Sequence, residues 1–230
     1  MMATVEQLPA QEQVEQFAPS ESIVLKNIPW ALYEALRDVE ENWHLKMTYD
    51  DGVLELMSPS AKHETLKTRI GRLIEVLTEE LRIPIECFGS TTWKRPMGCR
   101  GLEADTCYYI RNEPSVRGKE DVDQDVDPPP DLAIEIEVSR EAVAKEPIYA
   151  GLRVAEIWRC GDKSLRCFHL AAGGEYIEHE MSLNLPFLRV ADLLPFLARR
   201  RGIDSNAWIG GFRAWVREQF RPGKAGPLQG

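Results

Sequence analysis

The sequence predicts an α/β fold in which a mixed sheet is flanked by helices. Three observations carry this. One long amphipathic helix is written over His63–Arg82, where Leu66, Ile70, Leu73, Ile74, Leu77 and Leu81 form a single apolar stripe. Short apolar and aromatic segments bounded by turn residues surround it, as strands do. Between two of them, Arg140–Leu152 reads as a short helix, which gives the strand–helix–strand alternation of an α/β domain.

In chain order, residues 1–20 are polar, Gln/Glu-rich and aperiodic, and are expected to be a disordered tail. Leu32–Val39 has helical spacing. Lys46–Tyr49 and Val53–Met57 flank Asp50-Asp51-Gly52, a hairpin signal. Ser58-Pro59-Ser60 then offers a cap for the long helix, and Pro84 marks its end. Ile83–Phe88, Ser90–Trp93 and Asp105–Ile110 read as strands. Asp131–Val138 (DLAIEIEV) follows Pro128-Pro129-Pro130 and alternates, with Leu132, Ile134, Ile136 and Val138 on one face and Ala133, Glu135 and Glu137 on the other. Arg140–Leu152 is disturbed by Pro147. Ala155–Cys160 and Leu165–Leu170 are strands turned at Gly161-Asp162, and Gly173-Gly174 introduces another hairpin. Val190–Arg200 and Asn206–Phe220 close the chain as helices. The expected organisation is one domain over 21–220, with tails at 1–20 and 221–230.

The formal charge of −9 on 230 residues argues at first against a nucleic-acid partner. The charge is not spread evenly. Residues 1–20 carry −3 and residues 113–137 carry −7, which leaves +1 for the rest. Residues 113–127 read as a solvated loop. Between Asp192 and Lys224 the net is +4. The five cysteines are scattered and form no CxxC pair, so neither a disulfide framework nor a zinc ribbon is suggested. No apolar run reaches the roughly 20 residues of a membrane helix. The opening residues lack the basic and apolar regions of a signal peptide. A cytoplasmic, reduced protein without a membrane partner is expected.

The chemistry-bearing pattern is acidic. Asp105 begins one strand candidate, Glu135 and Glu137 share a face of another about 7 Å apart, and Lys145 follows eight residues later. Two glutamates on an otherwise apolar strand are costly unless cations or a metal neutralise them. Hard divalent cations take one or two carboxylates plus water and phosphate oxygens. A lysine nearby can offset developing negative charge. The simpler readings are an ion pair of Asp105 with Arg95 or Arg100, and a solvent-facing edge for the two glutamates. His63 alone reads as a surface or capping residue, and Tyr149, one turn beyond Lys145, as core packing. Trp93-Lys94-Arg95 reads equally as a nucleic-acid backbone contact through Lys94 and Arg95 or as a strand end with snorkelling cations. Trp208, Phe212 and Trp215 read as core or a subunit contact.

Asp105…Glu135-Ile136-Glu137…Lys145 resembles the PD-(D/E)XK nuclease pattern with its lysine moved to a helix. The chain is more specifically similar to the Uma2 family, a restriction-endonuclease-like family frequent in cyanobacteria. The resemblance spans about residues 25–218. It rests on Asp51–Pro59, His63-Glu64, Gly101–Asp105, Tyr108–Ile110, Pro129–Glu137, Lys145, Pro147–Tyr149 and Val154–Arg159. It implies a restriction-endonuclease-like core, with Asp105 and Glu135 as metal ligands. Glu137 would stand where the common motif has lysine, Lys145 would replace that lysine in space, and Glu64 would be the acidic residue of the first core helix. Mg²⁺ or Mn²⁺ would be the cofactor and DNA the substrate. Ala104 departs from the usual proline before the aspartate, and Arg153 and Ala155 depart from the usual Gly and Pro. These changes touch loop geometry and leave the carboxylates and lysine in place.

The expected function is therefore divalent-metal-dependent hydrolysis of DNA phosphodiester bonds by a homodimer. The alternative is a catalytically inactive nuclease-fold module that binds DNA or protein. A serine or cysteine hydrolase is set aside because no GxSxG elbow occurs.

Overall fold

The structure, a computed structural model, describes residues 21–95, 99–138, 143–198 and 202–220. The expected tails at 1–20 and 221–230 lie outside the described residues. The strands form two sheets where the sequence reading expected one. The first holds β1 (Glu21–Leu25), β2 (Lys46–Asp50), β3 (Val53–Ser58), β5 (Thr92–Arg95) and β6 (Arg100–Glu103), in the order β1-β3-β2-β6-β5. All its pairings are antiparallel. The second holds β4 (Glu86–Gly89), β7 (Thr106–Tyr109), β8 (Leu132–Glu137), β9 (Glu156–Gly161), β10 (Leu165–Leu170) and β11 (Tyr176–His179), in the order β11-β10-β9-β8-β7-β4. Only β8 and β9 run parallel there. A parallel pair needs a crossover, and the segment carrying helix α4 (Glu146–Leu152) supplies it. The division arises at Ala104-Asp105, where the chain leaves β6 in one sheet and enters β7 in the other.

The hairpin between β2 and β3 turns at Asp51 (φ 42°) and Gly52 (φ 88°), both in the left-handed region that a tight two-residue turn demands. Helix α2 (Ala61–Leu81) starts because Ser60 accepts the His63 backbone N–H, and it stops where Arg82 turns left-handed at φ 56°. Its apolar stripe, Leu66, Ile70, Leu73, Ile74 and Leu77, is buried against Leu132, Ile134 and Ile136 of β8 and Trp158 of β9. Helix α6 (Ser205–Gln219) covers the same core through Ile209, Phe212 and Val216. The other face of the second sheet carries Cys107, Tyr109, Ala133 and Ile157, which pack with Trp93 and Leu102 of the first sheet and with Ile148 and Tyr149 of α4. Tyr33 of α1 (Trp30–Arg37) stacks on Tyr49, ring centres 5.0 Å apart, in a small third core. The β8 alternation thus sends its isoleucines to the helices and Glu135 to the space between the sheets.

Several expectations change. The helix expected over 190–200 is a 3₁₀ turn, Val190–Leu193, followed by α5 (Leu194–Leu197), with Pro195 confined to its first turn. Residues 199–201 lie outside the described part. The helix expected from Arg140 begins instead at Glu146, so that Pro147 falls in the first turn, where its missing N–H costs nothing. Residues 139–142 are not described. The acidic stretch is not wholly solvated. It opens with α3 (Glu113–Val116), Val116 and Val122 are buried in the core, and Glu113 is buried against Arg117. Gln124 exchanges hydrogen bonds with the edge strand β5, donating to Thr92 O at 2.7 Å and accepting from Lys94 N at 2.7 Å. This covers an edge that would otherwise invite pairing with another chain. Trp208, Phe212 and Trp215 pack with Phe196 around the core, not at an exposed face.

Candidate active site

The polar cluster between the sheets is built from five elements. Asp105 stands where the chain passes from β6 to β7. Glu135 projects from the middle of β8. Lys145 is the residue just before α4, and Tyr149 lies one turn into it, on the same side. His63 comes from the first turn of α2, and Lys46 opens β2. All are buried, Asp105 at 0 % exposure and Glu135 at 2 %.

Asp105 is held on both oxygens. Its Oδ2 accepts the Ile136 backbone N–H at 2.6 Å, which ties it to β8. Its Oδ1 pairs with the Lys46 ammonium, which also donates to Ala104 O at 3.2 Å. His63 Nε2 lies 3.0 Å from the same oxygen. Glu135 accepts from Lys145 Nζ at 2.5 Å on Oε2 and from the Tyr149 hydroxyl on Oε1.

These pairs form one electrostatic unit. Burial pushes the Asp105 carboxyl up, but Lys46, the His63 ring and Lys145 together outweigh it and hold Asp105 well below the usual carboxylate range. Glu135 goes the other way. Burial raises its pKa, the Asp105 charge adds to the rise, and Lys145 and Lys46 oppose it. Burial also raises the Tyr149 phenol well above its ordinary value, with the Glu135 charge adding to the effect. Tyr149 is therefore a fixed donor that orients Glu135. Two carboxylates in one buried space, with opposite shifts, are a common signature of acid–base or metal chemistry.

The other expected residues sit differently. Glu137 faces the partly exposed end of β8, paired with Arg159 Nε at 2.5 Å and Arg166 Nη2 at 3.3 Å. It does not join Asp105 and Glu135: the three do not bring one oxygen each within 4.8 Å of one another. Glu64 is half-exposed at the rim, 3.3 Å from His63 Nδ1 and 3.7 Å from Lys67. Lys94 lies on β5 away from the cluster, and the Arg95 side chain is outside what is described. Arg100 pairs with Asp50 at 2.8 Å, not with Asp105.

Sequence reasoning missed Lys46 altogether and undervalued His63 and Tyr149. Tyr149 had a usable signal in its i+4 relation to Lys145. Lys46 had none, because it meets Asp105 only through the pairing of β2 with β6, which no local feature of the sequence announces. Asp131, also in the acidic stretch, is structural: it accepts from Ile110 N at 2.7 Å and Asn112 N at 2.8 Å.

The donor set suits a hard divalent cation. Asp105 and Glu135 supply two carboxylates, and Lys46 and Lys145 occupy oxygens that such a cation would take. The buried His63 Nε2 lies 3.0 Å from Asp105 Oδ1, but His63, Asp105 and Glu135 do not bring one ligand atom each within 4.8 Å of one another. Beside Glu135 a cavity of ≈ 10 Å³ is lined by Lys145, Glu146, Tyr149 and Arg159, room for about one water. Among the described residues no helix is long and apolar enough to cross a membrane.

Three comparisons bear on this arrangement. No curated protein matches the chain. Among solved structures, a "putative nuclease belonging to DUF820" from Anabaena variabilis ATCC 29413 is similar, at 14% identity and a TM-score of 0.40, over 74% of this chain and 90% of its own. The family model Uma2, described as "Putative restriction endonuclease", matches residues 30–201. That range contains β2, the start of α2, Asp105, β8 and α4, and hence every residue of the cluster: the chain belongs to the Uma2 family.

Proposed function

We propose that this protein is a divalent-metal-dependent endonuclease that hydrolyses DNA phosphodiester bonds. The observation that supports it is the buried pairing of Asp105 and Glu135 in one charge cluster with Lys145 and Lys46. Asp105 and Glu135 would hold Mg²⁺ or Mn²⁺. When bound, such a cation polarises a phosphoryl group and makes water acidic enough to be a nucleophile near neutral pH. Lys145 would donate to the phosphate oxygens, where its charge offsets what develops during attack. Tyr149 keeps Glu135 in one orientation while Lys145 does so. His63 and Lys46 hold Asp105 ionised, and Glu64 sits at the rim where substrate enters. At Glu64 a groove of ≈ 360 Å³, lined also by Arg69, Arg72 and Trp208, offers two cations and an aromatic ring to a nucleic-acid strand.

One observation favours a second reading. Both Asp105 oxygens already have partners, and Glu137 is held by arginines, as in a site that has become purely structural. The protein would then bind DNA without cutting it. Incubation of the purified chain with supercoiled plasmid and Mg²⁺, Mn²⁺ or EDTA separates the two. Nicking is expected with either metal and not with EDTA, and Lys145→Ala should lower it by about 100-fold or more. Retained DNA binding with no cleavage at saturating metal supports the second reading. Full activity in Lys145→Ala would place the chemistry elsewhere.

A further inference from the structure

A second cluster lies on the helix-facing side of the second sheet. Glu156 on β9 stands directly opposite His169 on β10, and Cys167, two residues before His169, shares their face. One ligand atom from each of the three lies within 4.8 Å of the other two, which is true of no other trio of acidic, His or Cys residues among the described ones. We propose that Glu156, Cys167 and His169 form a binding site for a transition-metal ion of the zinc type, separate from the Asp105 cluster and independent of the nuclease reading.

The chemistry of the donors selects the ion. A thiolate, an imidazole and one carboxylate are the ligands of Zn²⁺ and its neighbours, and they are poor ligands for Mg²⁺ or Ca²⁺. Three protein ligands leave a fourth position for water. The ring of His179 stacks on that of His169, with centres 4.1 Å apart.

Glu156 is fully buried and already oriented. Its Oε2 accepts from Ser182 Oγ at 3.2 Å, Asn184 N at 3.0 Å and Asn184 Nδ2 at 2.8 Å. Its Oε1 accepts from Trp158 Nε1 at 2.6 Å and from the Cys167 thiol at 3.0 Å. Hydrogen bonds that fix a ligating carboxylate are the usual surroundings of a metal site. A purely structural role, anchoring the segment 182–184, accounts for the Ser182 and Asn184 bonds. It does not account for the buried Nε2 of His169, which has no hydrogen-bond partner. The Cys167 thiol has Glu156 Oε1 at 3.0 Å and Met181 O at 3.7 Å as acceptors for its one proton. Binding exchanges that proton for the ion: the S–H bond breaks, an S–metal bond forms, and the proton leaves to solvent, with no change of oxidation state.

The test uses the full-length chain freed of metal with EDTA and titrated with Co²⁺, then with Zn²⁺. A thiolate-to-Co²⁺ charge-transfer band saturating at one ion per chain is expected, bleached by Zn²⁺. Cys167→Ser should abolish the band and His169→Gln should weaken Co²⁺ binding by at least about tenfold. Glu135→Gln should leave both unchanged, which separates this site from the proposed catalytic one. If Cys167→Ser does not fold, His169→Gln alone decides. No band at excess Co²⁺, or a band and affinity that survive these substitutions, overturns the proposal.

Discussion

Replacing Lys145 by methionine removes a cation while keeping the length of the side chain. Glu135 is then a carboxylate at 2 % exposure, with the Tyr149 hydroxyl as its bonded donor and Lys46 acting from farther away. Breaking a buried ion pair by removing one partner costs about 3–5 kcal/mol. Glu135 can limit that loss by taking up a proton. Starting from an ordinary carboxyl pKa of about 4.3, protonation at pH 7 costs about 3.7 kcal/mol, at about 1.36 kcal/mol per pH unit. The destabilisation at pH 7 is therefore capped at about 4 kcal/mol and falls by about 1–2 kcal/mol at about pH 5.5. The sign follows from burial, which already raises the Glu135 pKa against the pull of Lys145. A carboxyl with a raised folded-state pKa costs stability only above its unfolded pKa, so the penalty fades in acid. Urea unfolding of wild type and Lys145→Met at the two pH values measures it. The double variant Glu135→Gln/Lys145→Met should regain most of the loss at pH 7. A loss that is the same at both pH values, or a double variant worse than Lys145→Met alone, would refute the reasoning.

Three other outcomes are expected. Glu80 joins α2 to α6 through Arg217 and Arg213, whose hydrogen bonds lower its pKa from 4.5 to about 2. Its stabilisation, about 1 kcal/mol because Arg217 is exposed and Arg213 only partly buried, is present above pH 4.5 and lost as pH falls through about 2. The melting temperatures of wild type and Glu80→Gln should therefore converge in acid. Gly101→Ala drives a methyl group into the ring and hydroxyl of the fully buried Tyr33, and calorimetry should record a loss of about 1–3 kcal/mol. Tyr149→Phe takes one donor from Glu135 and should cost about 1.5–3 kcal/mol in urea unfolding at neutral pH, less in acid where Glu135 becomes neutral.

What could be read from the sequence was what is locally encoded. The apolar stripe and Ser60 cap define α2, Asp51-Gly52 defines a hairpin, and the alternation of Leu132–Glu137 already separates the isoleucines from Glu135. β6 escaped notice because Arg-Gly-Leu-Glu carries no alternation. Its glycine is there for the close approach of Tyr33, a tertiary requirement. β1 lies at a sheet edge with Ile23 largely exposed, so no buried face patterns it. In the site, Asp105, Glu135 and Lys145 were legible because a charged residue on an apolar strand or just after it is locally anomalous. Lys46 and His63 were not, since each reaches Asp105 from an element distant in the chain, Lys46 from β2 beside β6 and His63 from the first turn of α2. The placing of Glu137 turned on Arg159 and Arg166, whose positions depend on the register of β9 and β10. Glu156 gave no signal either: its partners other than Trp158 come from β10 and the segment 182–184.

The central claim is that Glu135 and Asp105 hold the ion on which hydrolysis depends. The rate of supercoiled-plasmid nicking by Glu135→Gln, in saturating Mn²⁺ and with its folded structure verified by circular dichroism, tests it most directly. The account predicts a rate no higher than that of wild type in EDTA. Nicking at the wild-type rate by folded Glu135→Gln would contradict it.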